Sequence, residues 1–398
     1  MDNLLFLCHR LPYPPNKGDK IRSFHFLQHL ATRFRVYLGT FIDDPDDEVW
    51  RDKVRDYCAD LCAVRIHPRL RRLLSLRGLL TGEPLGLPYY RDRTLAAWVR
   101  RTLAEATPTR ALVFSSTMAQ YLPAETYRTT RTVVDFVDVD SEKWLAYAAA
   151  KPWPLSALYR REGLRLRDYE TVIARRAAAS VFVSAPEAEL FGSLLAPPLP
   201  SVQHVDNGVD LAYFHPDDGR PSPYAPDARV CVFTGAMDYW ANVDAVTWFA
   251  DEVLPRIRAA CPATEFWIVG SRPAPEVRAL AQRTGIHVTG TVPDVRPYVQ
   301  HARVVVAPLR IARGIQNKVL EGMAMNKPIV GTTAAFEGIR CGTHPALCVT
   351  DEPARFAQAT ERFLQPGPPA AIDGVRCYVE ATHDWRTNLT KLDTLLEA

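Results

Sequence analysis

The residues best suited to chemistry lie in the run Gly314-Ile315-Gln316-Asn317-Lys318-Val319-Leu320-Glu321-Gly322-Met323-Ala324-Met325-Asn326-Lys327-Pro328-Ile329-Val330. A strand ending in Val306-Ala307-Pro308 runs into a loop, a helix is expected to begin near Gln316, and the next strand opens at Pro328. The amides of Gly314, Ile315, Gln316 and Asn317, together with the positive end of the helix dipole, would form a seat for phosphate. Lys318 falls in the first turn and Glu321, three residues on, shares its face. An ammonium suits a diphosphate, and a carboxylate one turn deeper can accept both hydroxyls of a ribose. The same two residues on an ordinary helix would be a solvated surface pair, so the place of the helix in the fold decides between the readings.

A second group of polar residues follows the expected strand Thr132 to Val137, in Asp138-Val139-Asp140-Ser141-Glu142-Lys143-Trp144. Asp138 and Asp140 are candidates for steering an acceptor hydroxyl that loses its proton as a new bond forms. Asp140 or Ser141 would alternatively cap the next helix. His9, at the end of the first strand, is either a further acceptor contact or a structural histidine. Between that strand and the first helix, Pro12 to Arg22 holds one glycine, Gly18, with Lys17, Lys20 and Arg22 around it. Neither a GxGxxG nor a Walker pattern occurs, which argues against a dehydrogenase or a P-loop NTPase.

Positioning these residues requires sheets, and short β-rich runs alternate with helical patterns along the whole chain, as parallel sheets with crossover helices demand. In the first half, strands are expected at 4–8, 36–41, 61–66, 111–114, 132–137, 180–183 and 202–205, with helices including 20–32, 94–106 and 155–178. A loop rich in proline and aspartate, Phe214 to Asp227, interrupts the pattern as an ordered linker would. Beyond it strands are expected at 230–234, 265–269, 286–289, 303–307, 328–330 and 346–349. The tail from Asp384 carries Trp385, Leu389, Leu392, Leu395 and Leu396 at helical spacing. The division predicted is residues 1–210 with the terminal helix 381–398, and residues 211–380. A length of 398 residues exceeds what one hydrophobic core serves and agrees with two domains.

No stretch approaches the ~18 uninterrupted apolar residues of a membrane span, and the apolar start Leu4 to Leu7 lacks a preceding basic segment, so it reads as a strand and not a signal peptide. Eight scattered cysteines without metal-ligand spacing read as reduced thiols, and hence as a cytoplasmic address. A formal charge of +3 gives no reason to expect nucleic acid as a partner. Arginines are nevertheless bunched in two stretches expected to be helical, 65–80 and 155–178, where they interleave with leucine. These are either solvated faces or a peripheral contact with the anionic inner leaflet of a membrane.

The Gly314 to Val330 run resembles the retaining glycosyltransferases of family 4, whose second domain carries a Glu, seven residues, and a second Glu followed by a small-residue helix and Lys-Pro-Val. The resemblance implies the GT-B architecture, two facing Rossmann-like doubly wound domains with a C-terminal helix returning to the first. It also implies that Glu321 holds the nucleotide ribose. Arg313 stands where the first glutamate would touch the donor sugar. His204 to Asp210 is similar to the Asn-Gly-Val-Asp motif that closes the first domain, and Phe233 to Ala245 is similar to the first strand, loop and helix of the nucleotide domain, including Gly235. There Ala236 and Asn242 are neutral where relatives are basic, which shifts the diphosphate charge onto Lys318, backbone amides, and Arg313 or Arg310. Gly290 to Tyr298 resembles the turn whose backbone, here at Val292 and Pro293, reads the nucleobase. Gly18 stands where the family brings backbone amides to the diphosphate.

Asp138 to Trp144, Leu79 to Gly82 through Tyr90, and Gly314 to Ala324 are closest to the glycosyltransferases associated with exosortase and PEP-CTERM systems, linked to exopolysaccharide assembly. What this implies is a hexosyltransferase that moves a sugar from a UDP- or GDP-sugar to a glycan or lipid-linked acceptor with retention, without metal or cofactor. A nucleotide-sugar epimerase of the same architecture and a catalytically silent nucleotide-sugar-binding protein are the alternatives.

Overall fold

The structure, a computed structural model, describes residues 1–15, 17–217, 219–312, 314–365 and 374–397. It divides into two compact units, Met1–Asp206 with Leu389–Ala398, and Asn207–Asn388.

The first unit is built on seven parallel strands: β1 Asn3–Cys8, β2 Arg35–Ile42, β3 Asp60–Arg65, β4 Arg110–Phe114, β5 Arg131–Val137, β6 Ala179–Phe182 and β7 Val202–His204. Their spatial order is β3-β2-β1-β4-β5-β6-β7, so the winding direction reverses between β1 and β4. The central strands read as near-continuous apolar runs because helices cover both faces. In β1, Leu4 to Cys8 are all fully buried. On one face Phe136, Phe182 and Phe191 form an aromatic stack, with the first two rings 5.3 Å apart and nearly parallel.

Two expectations about basic residues change here. Arg22, read as a neighbour of a phosphate, is 1% exposed. Its Nε donates to Asp135 Oδ2 at 2.7 Å, its Nη1 donates to the Val205 carbonyl at 2.7 Å, and its guanidinium lies over the Phe26 ring. Lys20 is likewise buried, on Asp47 at 2.6 Å. Both serve the fold, since a charge leaves water only when a partner replaces hydration. The second change is in the stretch 65–80. Arg65 ends β3, and the helices run Pro68–Ser75 and Arg77–Thr81. Pro68 sets the start because its missing N–H is tolerated only in the first turn, and Gly82, in the left-handed region at φ 77°, ends the second helix.

Helix Leu155–Arg176 buries Glu170, whose Oε2 accepts from the Ser141 hydroxyl at 2.6 Å while its Oε1 has no hydrogen-bond partner among the described residues. Burial pushes this carboxyl up to about 8, against the Ser141 hydrogen bond, so it is protonated in the folded protein at neutral pH. A pKa raised on folding contributes stability that is complete below the ordinary glutamate value, ~4.3, and is lost as pH rises through the folded value. Glu170→Gln should therefore be more stable than the parent at pH 8 and equal to it near pH 4. Urea melts at the two pH values check this, and equal margins at both would refute it.

The second unit carries six parallel strands, β8 Arg229–Thr234, β9 Thr264–Val269, β10 Ile286–Gly290, β11 Val304–Ala307, β12 Ile329–Gly331 and β13 Leu347–Val349, in the order β10-β9-β8-β11-β12-β13. The reversal falls between β8 and β11, which pair directly through Val304 and Cys231. The proline-rich loop that reads as a linker packs on this unit, with the Tyr224 hydroxyl donating to the Tyr298 carbonyl at 2.7 Å. Helix Trp385–Glu397 leaves the second unit and its later turns join the first. There Leu392 and Leu396 are fully buried, His29 meets Asp393 at 2.8 Å, and Arg131 donates to the Leu395 carbonyl at 2.7 Å.

Candidate active site

In the second unit, the loops that follow β8 and β11 emerge side by side at the carboxyl edge of the sheet, where the strand order reverses. Open parallel sheets bind ligands at such a point. The helix after β11 is Asn317–Ala324, with Gln316 as its N-cap. It folds here because Val319, Leu320, Met323 and Ala324 are buried on the sheet side. Gly322 sits so close to the strands that a Cβ there would lie 3.1 Å from Ile329 Cδ1. Gly314, at φ 68°, makes the left-handed turn that aims the chain into the helix. No side chain caps the amino end at Gln316, and of the first-turn amides Val319 donates to the Gln316 carbonyl at 3.0 Å. Ile315 is buried, while Gln316 and Asn317 are half-buried at the rim, and Asn317 Oδ1 has no partner among the described residues.

Lys318 is half-buried and turned back over this edge. Its ammonium donates to Asn242 Oδ1 at 2.7 Å and stands 4.0 Å above the Phe233 ring. Asn242 is itself held by its Nδ2, which donates to the Ala236 carbonyl at 2.8 Å. Room for this arrangement depends on Gly235, where a Cβ would stand 2.8 Å from Asn242 Nδ2 and 3.3 Å from Lys318 Nζ. Gly270, at the end of β9, is tighter still, since a Cβ there would meet the Gly235 carbonyl oxygen at 1.6 Å. The backbones of two strand ends thus nearly touch beneath the lysine. Burial pushes the Lys318 ammonium down to about 7 and the Glu321 carboxyl up to about 7, while each charge partly restores the other. Both residues are half-buried, and Lys318 is held by Asn242 and the Phe233 ring, as a fully solvated pair would not be.

Arg310 is committed elsewhere, as its Nε donates to Asp244 Oδ2 at 3.0 Å. Arg313 lies outside the described residues. Lys318 is therefore the cation that the described residues present at this rim. The Gly290 turn is also present, with Gly290 at φ 71°, Val292 half-buried and Pro293 exposed. Just past it Asp294 accepts from the Arg296 amide and from its guanidinium at 2.8–3.0 Å, and Arg296 stacks 3.9 Å over the Tyr213 ring. That clamp fixes the turn.

In the first unit, Gly18 opens helix Gly18–Ala31 behind β1. His9 follows β1, stacks on Phe114 and lies 3.3 Å from Asp19 through Nε2. Asp19 also takes Arg10 at 2.8 Å, and Arg10 reaches Asp43 at 2.8 Å. Together His9 and Arg10 hold the half-buried Asp19 carboxyl well below the usual range against the cost of its desolvation. Asp138 and Asp140, at the carboxyl end of β5, are both paired with Lys143, at 2.5 and 3.1 Å. Two carboxylates sharing one ammonium keep that lysine charged and are not bare bases. Neither Asp140 nor Ser141 caps helix Asp140–Ala150, whose N-cap position is Val139. Lys143 is the partner that reading the residues for chemistry passes over, although its spacing three residues after Asp140 is an available signal; Asn242 is singled out in sequence as a neutral residue at the diphosphate position, and its bond to Lys318 is what the sequence does not show. Among the described residues no cluster of three or more His, Cys, Asp or Glu could hold a metal ion.

With this geometry in hand, comparison with known proteins places the chain. Residues 228–366, which span the second sheet and the Lys318 helix, match the family described as "Glycosyl transferases group 1". No curated protein matches. Over the whole chain the structure is similar to sucrose-phosphate synthase from Thermosynechococcus elongatus, with a TM-score of 0.71, 15% identity, and coverage of 99% of this chain and 98% of that one. It is similar to Anabaena HepE, solved with UDP and glucose, at a TM-score of 0.68, 14% identity and 99% coverage of both. It is also similar to WaaG, a glycosyltransferase involved in lipopolysaccharide biosynthesis, at a TM-score of 0.64, 16% identity and coverage of 99% and 100%. The chain has the GT-B fold, and its residues 228–366 are similar to the group 1 glycosyl transferases.

Proposed function

We propose that this protein is a glycosyltransferase of the family 4 type, which moves a hexosyl group from a UDP- or GDP-sugar to a glycan or lipid-linked acceptor with retention of configuration. The observation that carries the reading is the Lys318 ammonium, held by Asn242 over the uncapped amino end of helix Asn317–Ala324 at the sheet's reversal point. Departure of the nucleoside diphosphate places negative charge beside this ammonium and the first-turn amides, and fixed donors of that kind stabilise a leaving anion without reorganisation. In this reading Glu321 accepts the ribose hydroxyls, the Gly290 turn meets the base at Val292 and Pro293, and Gly235 gives the diphosphate close access to backbone. No metal or cofactor takes part. In the same reading Asp138 and Asp140, both paired with Lys143, orient the acceptor hydroxyl, and Gly18 contributes a backbone amide. HepE, solved with UDP-glucose, supports the donor class, and the eight free cysteines fit a reducing cytoplasm. Exopolysaccharide assembly of the exosortase-associated kind is the pathway class proposed, with the enzyme peripheral to the inner leaflet where lipid-linked acceptors reside.

A second reading has one observation in its favour. With Arg310 paired to Asp244 and Asn242 neutral, Lys318 is the one cation that the described residues offer a diphosphate, as a silent nucleotide-sugar-binding protein would tolerate. A thermal-shift panel of UDP-, GDP- and ADP-sugars, followed by release of nucleoside diphosphate from the donor that binds, separates the two. The transferase is expected to be stabilised by a UDP- or GDP-sugar and to hydrolyse it slowly without acceptor. Binding without any turnover, acceptor extracts included, would favour the silent protein, and no stabilisation by any nucleotide-sugar would reject both.

A further inference from the structure

The stretch Pro68 to Thr81 has an unusual surface. Ser75 and Gly78 point into the unit, while Leu70, Leu73, Leu76, Leu79 and Leu80 are exposed, Leu73 at 67% and Leu80 at 91%. On helical geometry Leu73, Leu76 and Leu80 fall on the side opposite Ser75 and Gly78, so the apolar stripe faces outward. Solitary exposed leucines are ordinary, but five within eleven residues form a contiguous patch that a soluble surface avoids.

Its borders are basic. Arg69, Arg72 and Arg77 are exposed and none forms an ion pair among the described residues, and the stretch 68–81 contains no acidic residue. Arg161, on helix Leu155–Arg176, donates to the carbonyls of Gly78 and Glu83 and so fastens that helix to the patch. The head of the same helix adds an exposed Trp153, at 81%, and an exposed Leu155. Further along it Arg160 and Arg165 are also exposed and form no ion pair among the described residues.

We propose that this ledge is a docking surface for an anionic lipid bilayer, with Leu73, Leu76 and Leu80 entering the headgroup–acyl boundary and Arg69, Arg72 and Arg77 meeting lipid phosphates. The charge of the rim selects the occupant. A second copy of the chain would set arginine against arginine, whereas an anionic interface offers both an apolar layer and counter-charges. Trp153 suits the same depth, since its ring is apolar and its N–H polar. Docking is peripheral, because among the described residues no helix is long and apolar enough to cross a membrane. The partner adds to the reading of the donor site, but its test does not depend on catalysis.

The test is flotation of the full-length protein with phosphatidylcholine vesicles, with and without ~30% phosphatidylglycerol, at low and high salt. The wild type should float with anionic vesicles at low salt and lose most binding with neutral ones. Leu73→Asp/Leu80→Asp, and separately Arg69→Gln/Arg72→Gln/Arg77→Gln, should each weaken binding at least tenfold. All five positions are exposed, so thermal melts and nucleotide-sugar stabilisation should match the parent, which separates failure here from failure of the donor-site reading. No binding to anionic vesicles, or binding that both variants retain, would overturn the proposal. Sedimentation showing a lipid-free dimer that the Leu73/Leu80 variant dissolves would also overturn it, by assigning the ledge to a second copy.

Discussion

Replacing Lys318 with alanine should lower turnover at least tenfold and replacing Glu321 with alanine should do the same, because in the proposed function the two act on the two polar halves of one nucleotide. A hydrogen bond from a charged donor contributes about 1.5–3 kcal/mol, which corresponds to roughly ten- to a hundred-fold in rate. Among the described residues no second cation is on hand to compensate, as Arg310 is bound to Asp244. The lysine also carries a pH signature. Burial holds its ammonium down to about 7 in the free protein, and a bound diphosphate draws the group back to the charged form. Donor binding should therefore take up a proton above neutrality, and affinity should fall as pH rises from 7 to 9. Titration calorimetry in buffers of different ionisation enthalpy reads that proton directly, and Lys318→Ala should abolish it. Near-normal turnover in both variants would remove the site.

Arg22→Met should destabilise the first unit by about 3–5 kcal/mol, the cost of stripping one partner from a buried ion pair. The substitution leaves Asp135, which is fully buried, without its guanidinium and leaves the Val205 carbonyl without a donor. Burial already raises the Asp135 carboxyl against the pull of Arg22, so protonation of Asp135 will soften the loss at low pH. The companion Arg22→Met/Asp135→Leu should recover at least half of it, since no charge is then stranded. Urea denaturation followed by circular dichroism checks both variants, and a loss below 1 kcal/mol in Arg22→Met would show the pair to be dispensable. Arg22 could easily be mistaken for a phosphate ligand, and this measurement separates a folding role from a binding one.

The alternation of apolar runs and helical patterns is enough to read thirteen parallel strands in two sheets, with each element type preserved and its ends displaced by a residue or so. The start of the Lys318 helix near Gln316 is legible for the same reason. Periodicity, glycine and proline act on the backbone locally, so neighbours in sequence decide them. The helix boundary at Pro68 is one place where the arginine–leucine pattern alone misleads, because it continues across a strand end that proline then terminates.

Partnership of charges is another matter. Lys318 finds Asn242 76 residues away, Arg310 finds Asp244 at a separation of 66, and Arg22 finds Asp135 at 113. Only the winding of the sheets brings these pairs together, and that meeting turns Arg22 and Lys20 into buried fold-holding charges, ties Arg310 to a carboxylate, and leaves Lys318 at the rim. The amino-acid order by itself determined where helices and strands would form and which of their ends carried charge. Tertiary structure decided which charges are spent on one another, since Coulomb and hydrogen-bond energies depend on distance in space and on exclusion of water, and neither is a property of sequence spacing.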